Sequence, residues 1–327
     1  MKLAATLLFA MLAAATACKA EDFKVMFYNV ENFFDTFDDS LTSDEAFTPF
    51  GTNHWTWERF VRKRNNIYKT IVAAGKGSLP DVVGLCEVEN RRVLRQLAEQ
   101  TPLSKGNYGI VHYDSPDRRG IDVALLYRRD SFTVAASRAH PAGSRTRDIL
   151  HVKGFTPHND TLHFFVNHWP SKGGGAASEA GRMSAAAKLK TLVDSLFSEN
   201  INANICIMGD FNDYPDSRPI SLLDAKRENT GAGHLYNMSV HLQDEHRGTI
   251  KFQGRWELID LFFVSGNLRF NERGLHCSPS SVEIFQADFL LKTSVGEGVS
   301  LHRTYMGPRY AGGFSDHLPI LIVFTRL

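Results

Sequence analysis

Six stretches of this 327-residue chain share one pattern: an apolar, strand-forming run with an amide, a carboxylate or an imidazole at or near its end. The sharpest is Ile205-Cys206-Ile207-Met208, which runs into Gly209-Asp210-Phe211-Asn212-Asp213. The others carry Asn29 and Glu31, Glu87, Asn167 and His168, Asp260, and Asp316 and His317. Taken singly, an acid or amide at a strand end is ordinarily a turn residue or a cap. Six such ends call for a common cause, and the simplest is a sheet architecture that delivers them all to one cleft. That requirement constrains the fold more than composition does.

Between these runs the apolar spacing becomes helical. Trp57, Phe60, Val61, Ile67, Tyr68, Ile71 and Val72 predict a helix over Trp57–Ala74, with Arg62-Lys63-Arg64 on its solvated face. Further helices are expected at Arg91–Glu99, Glu179–Ser198 and, briefly, Pro219–Ala225. Strands are expected at Phe23–Tyr28, Asp81–Glu87, Arg119–Tyr127 with Phe132–Ala136 as its hairpin partner, Leu162–Pro170, Ile250–Phe252, Leu258–Val264 and a last run ending at Phe324. Residues 35–54 read as a surface loop, and residues 266–312 follow neither period. Strands alternating with helices indicate the α/β class. At 43% hydrophobic and 22% charged, with no internal repeat or linker, residues 21–327 are expected to form one domain.

Residues 1–20 stand apart. Lys2 precedes a nearly unbroken apolar run, Leu3–Ala17, and Ala15-Thr16-Ala17 supplies the small residues that a signal peptidase requires. The run is short for a membrane span, so a signal peptide and an exported protein are expected, periplasmic, extracellular or on the outer surface. Cys18 offers an alternative, lipidation and a membrane tether. Of the 37 basic residues, Lys2 and Lys19 leave with this segment, and the remainder falls one short of the 36 acidic residues. A chain so near neutrality is not drawn to nucleic acid by its global field. Cys86 and Cys206 lie in apolar runs and Cys277 in a loop-like stretch, without the spacing of a zinc site or a disulfide framework. No protein partner is implied.

Several carboxylates gathered in one cleft repel one another unless a cation neutralises them. Oxygen donors of this kind suit Mg²⁺, Mn²⁺ or Ca²⁺ rather than zinc. Asparagine adds neutral groups that suit a phosphate oxygen, and an aspartate beside a histidine fixes the ring's orientation and proton. Cation, oriented water and imidazole together point to phosphoester hydrolysis.

In this order, Asn29-Val30-Glu31-Asn32, Glu87, Asn167-His168-Trp169, Gly209-Asp210-Phe211-Asn212, Ile259-Asp260 and Ser315-Asp316-His317 resemble the motifs of the endonuclease/exonuclease/phosphatase (DNase I-like) superfamily, over essentially all of the chain after residue 20. The resemblance implies a four-layer α/β sandwich, two mixed β-sheets face to face with helices on both outer faces. It implies Glu87 as principal metal ligand, with Glu31 and Asp316 near the same ion. Asn29 and Asn212 would orient phosphate or metal-bound water, and Asp210 would position or deprotonate the attacking water. His317, held by Asp260, would contact the scissile phosphate, and His168 would bind phosphate or act as general acid. Mg²⁺ is the expected cofactor, with Mn²⁺ or Ca²⁺ as alternatives. Arg119, Lys172 and Arg182 lie outside these motifs and are offered as phosphate contacts.

Tyr28-Asn29-Val30-Glu31-Asn32-Phe33-Phe34-Asp35 and Glu87-Val88-Glu89-Asn90 look like the secreted bacterial nuclease-like members, so an exported nuclease acting on DNA or RNA is the first expectation. The near-neutral charge weighs against it. So does Glu89, which stands where some DNA-cleaving members carry a basic residue that reaches the duplex. A phosphatase, or a lipid phosphodiesterase of the sphingomyelinase or inositol type, is the alternative on the same centre. A binding module that kept the fold without turnover would be expected to have lost one of Glu87, Asp210, Asn212, Asp260, Asp316 and His317, and all are present.

Overall fold

The apolar runs become two mixed sheets packed face to face. The computed structural model describes residues 22–223, 231–245, 247–271, 274–294 and 298–326. The signal peptide expected at 1–20, and Cys18, lie outside the described residues. The chain builds β1 (Asp22–Phe33), β2 (Val82–Val88), β3 (Tyr108–His112) and β4 (Asp122–Arg128) into a first sheet. It then builds β5 (Thr133–His140), β6 (Ile149–Phe155), β7 (Thr161–His168), β8 (Ile205–Asp210) and β9 (Leu235–Asn237) into a second. A separate hairpin of β10 (Ile250–Phe252) and β11 (Arg255–Glu257) follows, and β12 (Asp260–Ser265) returns to the second sheet. β13 (Leu275–His276) and β14 (Val282–Ile284) rejoin the first. Two small hairpins, β15 (Leu291–Ser294) with β16 (Gly298–Leu301) and β17 (Tyr305–Met306) with β18 (Arg309–Tyr310), precede β19 (Ile320–Arg326), which pairs with β1. The strand orders are β13-β19-β1-β2-β4-β3, with β14 beside β19, and β5-β6-β7-β8-β12-β9.

Each sheet has one parallel pair in its middle, β1 with β2 and β7 with β8. Parallel neighbours need a long crossover. Helix α1 (Trp57–Ala74) supplies it in the first sheet, and a later helix, Gly175–Glu199, supplies it in the second. With α2 (Arg91–Glu99), α1 buries Phe60, Ile67, Ile71, Val93 and Leu97 on the outer face of the first sheet. The helix Gly175–Glu199, here α3, buries Ala185, Ala186, Leu189 and Val193 on the second. Helices therefore cover both outer faces, giving the four layers that the sequence resemblance implies. Among the described residues no helix is long and apolar enough to cross a membrane.

Between the sheets Phe23, Phe132 and Phe164 meet, with centroids 6.5 Å apart for Phe23 and Phe164 and 5.3 Å apart for Phe132 and Phe164. Burying each such ring stabilises the fold by about 1.5–3 kcal/mol. The central strands approach so closely that a Cβ on Gly84 of β2 would lie 2.5 Å from Met208 Sδ on β8. The two parallel pairs are thereby stacked, and their carboxyl ends open on the same side.

Three sequence expectations change. Phe132–Ala136 is not the hairpin partner of Arg119–Tyr127. After a turn at Arg128–Phe132 the chain leaves the first sheet, and β5 pairs with β6 in the second. Phe132 drives this crossing, because its ring belongs between the sheets. Second, Lys63 is not solvated. It is 1% exposed and donates to Thr304 Oγ1 and the Phe314 carbonyl, each at 2.6 Å. Third, residues 266–312 do hold strands, all short: β13 and β14 pair with the distant β19, and the others form two local hairpins. Strands β3, β6, β9 and β11 were not anticipated either. The short helix expected at 219–225 is Arg218–Ser221 where it is described.

Candidate active site

Strand register assembles one half of the site. Asp210 ends β8 with His168 opposite it on β7 and Asp260 opposite it on β12, so three functional side chains sit abreast. The other half comes from the first sheet, where β1 and β2 both break pairing as they reach the cleft. The breaks coincide with left-handed backbone at non-glycine residues: Glu31 (φ 50), Asn32 (φ 55) and Glu87 (φ 60). Asn212, just after β8, repeats it at φ 49. Each such residue costs on the order of 1 kcal/mol or more, and strain of this kind concentrates at functional sites. Here it aims Glu87 at the cleft; in a regular strand Glu87 would face away from its neighbour Cys86, which lies in the core between the sheets.

Asn29 joins the halves. Its Nδ2 donates to Asp210 Oδ2 at 3.0 Å, lies 3.4 Å from Glu87 Oε1 and 3.4 Å from His317 Nε2, and its Oδ1 accepts from the Glu31 amide at 3.0 Å. Ser315 fixes the C-terminal motif against it: Ser315 Oγ donates to the Asn29 carbonyl at 2.7 Å and accepts from the His317 amide at 3.1 Å. His317 Nδ1 is 2.8 Å from Asp260 Oδ2, and its Nε2 is 3.7 Å from Asp210 Oδ2. His168 Nε2 approaches the same Asp210 oxygen at 3.7 Å and Glu87 at 3.9 Å. Asn212 donates its amide to Asp210 Oδ1 at 2.9 Å and its Nδ2 to the Trp169 carbonyl at 3.0 Å.

Burial and neighbouring charge tune these groups apart. Burial raises Asp210 to about 7, opposed by His317 and reinforced by Asp260. Burial alone would lower His317, but Asp260 and Asp210 outweigh it and hold the ring well above the ordinary histidine value. His168 is pushed well below that value by burial, then by Arg147 and Arg119. The site thus holds a protonatable carboxylate, an imidazolium and a neutral imidazole within a few ångströms.

The remaining expected residues fall differently. Asp316 lines the cleft, whereas Glu31 is buried outside its lining; both bind Arg303, which donates from Nε to Glu31 Oε1 at 3.0 Å and from Nη2 to Asp316 Oδ2 at 2.7 Å. Arg119 lines the cleft and lies 3.5 Å from Asp117. Lys172 is drawn away by Glu257 at 2.7 Å and by the Tyr214 ring at 3.8 Å. Arg182 is buried on Asp213 at 2.8 Å and on the Pro170 carbonyl at 3.2 Å, outside the cleft lining, so its place is beneath the strand end. Glu89 does not project toward a substrate. Its buried carboxylate accepts from the Asp35 amide and is raised to about 8, by burial first and also by Asp35. It therefore puts no acid in a duplex's path.

Two cleft residues were missed by sequence reasoning. Arg147 is buried and ties the end of β7 in place, donating to the His168 and Trp169 carbonyls and to Asp117 Oδ2. Arg303 lies in the stretch that no periodicity resolves. Lys251 and Phe252 of the β10–β11 hairpin add a cation and a half-exposed ring to the rim. The cleft has a volume of about 260 Å³.

The donor set fits a hard divalent cation at one point. Among the described residues the Glu87 oxygens accept hydrogen bonds from neutral groups, Asn29 Nδ2 and the Asn32 amide at 2.8 Å, and the side chain lines the cleft. Mg²⁺ is commonly held in this way, by one or two carboxylates plus water and substrate phosphate.

A sequence profile of the endonuclease/exonuclease/phosphatase family matches residues 24–326. No curated protein matches the chain. Among solved structures the chain is similar to an endonuclease/exonuclease/phosphatase family protein from Bacteroides thetaiotaomicron, at 15% identity over 94% of this chain and 96% of that one, with a TM-score of 0.60. It is similar to a mannosyl-6-phosphatase of the same organism, at 16% identity over 92% and 99%, TM-score 0.58. It is also similar to D. rerio TDP2 complexed with single strand DNA product, at 12% identity over 93% and 98%, TM-score 0.56. At such identities these likenesses establish the fold.

Proposed function

The chain belongs to the endonuclease/exonuclease/phosphatase family, a superfamily of metal-dependent phosphoester hydrolases, and on that premise we propose that it is an exported, Mg²⁺-dependent phosphodiesterase acting first on nucleic acid. The observation that carries the reading is the pair of oppositely tuned groups 3.7 Å apart, Asp210 raised toward neutrality and His317 held as a cation. A carboxylate near pKa 7 is matched to accepting a proton from water. An imidazolium beside it donates a hydrogen bond to the non-bridging oxygen on which charge develops. Asp260 stabilises that charge and sets the ring's orientation, and Asn29 fixes the Asp210 carboxylate toward the cleft. His168, kept neutral, serves as a hydrogen-bond donor to phosphate and not as a proton source. Glu87 would hold the divalent cation, which when bound supplies Lewis-acid polarisation of the phosphoryl group.

Preference for a diester is supported by the rim, where Phe252, Lys251 and Arg119 extend the cleft beyond a single phosphoryl group. Glu89, turned inward, puts no acid before a nucleic-acid substrate and supplies no basic contact to it either. The likeness to a mannosyl-6-phosphatase keeps a phosphomonoester as the second reading. Purified protein should be incubated with plasmid DNA, RNA, bis-p-nitrophenyl phosphate and p-nitrophenyl phosphate, with Mg²⁺ and then with EDTA. Mg²⁺-dependent cleavage of nucleic acid and of the diester is expected. Turnover of the monoester alone selects the second reading, and no metal-dependent hydrolysis of any of the four rejects both.

A further inference from the structure

Arg303 reaches into the cleft and lies between two carboxylates. Its Nε and Nη2 bridge Glu31 and Asp316, while the second Glu31 oxygen accepts from the Thr304 amide at 2.6 Å and lies 3.8 Å from Lys63 Nζ. Two of the three acids at this end of the site already have a counter-charge built into the chain. Glu87 accepts hydrogen bonds from neutral donors, and Arg303 and Lys63 act on it only as neighbouring charges. We propose that Arg303 is a resident cation: it occupies the Glu31–Asp316 half of the site in place of a metal ion, confines divalent-cation binding to Glu87, and anchors the substrate's phosphoryl group through the N–H groups it has to spare.

The placement is built, not incidental. Residues 302–304 cross the segment 311–314 through backbone hydrogen bonds, Ala311 to the Thr304 carbonyl at 2.8 Å and Gly313 to the Arg303 carbonyl at 3.2 Å. A Cβ on Gly313 would lie 2.1 Å from the His302 carbonyl oxygen and 2.4 Å from that of Arg303, so only glycine permits this approach. Lys63 reinforces the crossing from below by bonding Thr304 and Phe314. A guanidinium suits the task because its planar fork reaches two carboxylates and still has donors left, which a lysine ammonium cannot match in geometry. With the Arg303 side chain 44% exposed and lining the same cleft as Asp210 and His317, those donors are open to an anion.

The metal half of this inference stands on geometry alone, and the anchoring half rests on the phosphoester reading above. Metal-free protein is titrated with Mn²⁺, following free Mn²⁺ by electron paramagnetic resonance, for wild type, Arg303→Met, Glu87→Gln and the double variant; melting curves report folding. Wild type is expected to bind one ion and Glu87→Gln none. Arg303→Met is expected to bind a second ion, or one at least roughly tenfold more tightly, and the double variant regains a site at Glu31 and Asp316. Unchanged stoichiometry and affinity in Arg303→Met, or one ion retained by Glu87→Gln, overturns the proposal. If Arg303→Met does not fold, Arg303→Lys decides, with wild-type metal binding expected and a second ion overturning it. Where wild type hydrolyses bis-p-nitrophenyl phosphate, Arg303→Lys is expected to raise KM about tenfold with a smaller change in kcat; an unchanged KM overturns the anchoring role alone.

Discussion

Replacing Asp260 by asparagine removes a charge from the site while keeping its shape. The new amide oxygen can still accept from His317 Nδ1, now 2.8 Å from Asp260 Oδ2. Both side chains are at least nine-tenths buried. At that separation and an effective dielectric of about 20 the gross attraction is on the order of 6 kcal/mol. Desolvation of two buried ions offsets much of it, leaving a net of about 2–4 kcal/mol for the charged ring, or roughly two to three decades in its protonation equilibrium. Asp210, 3.7 Å from Nε2, remains as the second counterion and limits the fall. The expected result with bis-p-nitrophenyl phosphate and saturating Mg²⁺ is a loss of about 10²- to 10⁴-fold in kcat/KM. The alkaline limb of the pH profile should move down by more than about one unit. Stability changes with it. A histidine whose folded pKa is raised contributes stability that is fully present below about 6.5 and is lost as pH rises through the folded value, so this slope should flatten in the variant. Mn²⁺ affinity should hold, because the contacts of Glu87 are untouched. A loss under fivefold with the alkaline limb in place would refute the assignment of His317 as an imidazolium held by Asp260.

Two further perturbations test the scaffold. Lys63→Met leaves the Phe314 carbonyl and Thr304 hydroxyl without a donor and Glu31 short of a neighbouring cation, so denaturant unfolding should show a loss of about 3–5 kcal/mol; a change below about 1 kcal/mol would mean that the buried ammonium is dispensable. On the second sheet His151 Nε2 lies 3.0 Å from His163 Nδ1, and burial first, then neighbouring cations, lowers the two rings to about 3 and about 4. Rings held neutral in the fold but free to protonate when unfolded give stability present above about 6.5 and lost as pH falls toward about 3. Discounted for partial exposure, the pair should cost roughly 3 kcal/mol at pH 4. Melting temperature against pH in His151→Phe and wild type measures this, and parallel curves would exclude it.

The sheet halves of this fold were legible because each parallel pair leaves a strong local trace, an apolar run ending on Asn29, Glu87, His168 or Asp210 and a helix of matching length after it. The side chains that the fold brings together in the cleft were legible for the same reason, since their motifs sit on those ends. What was not legible depends on partners far away in the chain. Lys63 looks solvated within its helix and is buried only because Thr304 and Phe314 arrive from 241 and 251 residues away. Glu89 stands where a duplex-reaching basic residue would be, yet it turns inward because the Asp35 amide is there to receive it. Phe132 closes a local hairpin by periodicity, yet its ring belongs between two sheets. Arg303 stands in a segment whose conformation is set by crossing residues 311–314, and neither a period of two nor a helical period can signal that. The left-handed turns at Glu31, Glu87 and Asn212 are likewise fixed by the cleft they serve and not by residue type.

The central claim is that Asp210 takes the proton of the attacking water. It is tested most directly by kcat/KM for bis-p-nitrophenyl phosphate against pH, at saturating Mg²⁺, in wild type and Asp210→Asn. Wild type should rise through an acid limb at or below about 7, since a cation bound at Glu87 favours the Asp210 carboxylate. The variant should retain Mn²⁺ binding, lose about 10³-fold or more in rate, and show no acid limb. A variant within tenfold of wild type that keeps the limb would contradict the account.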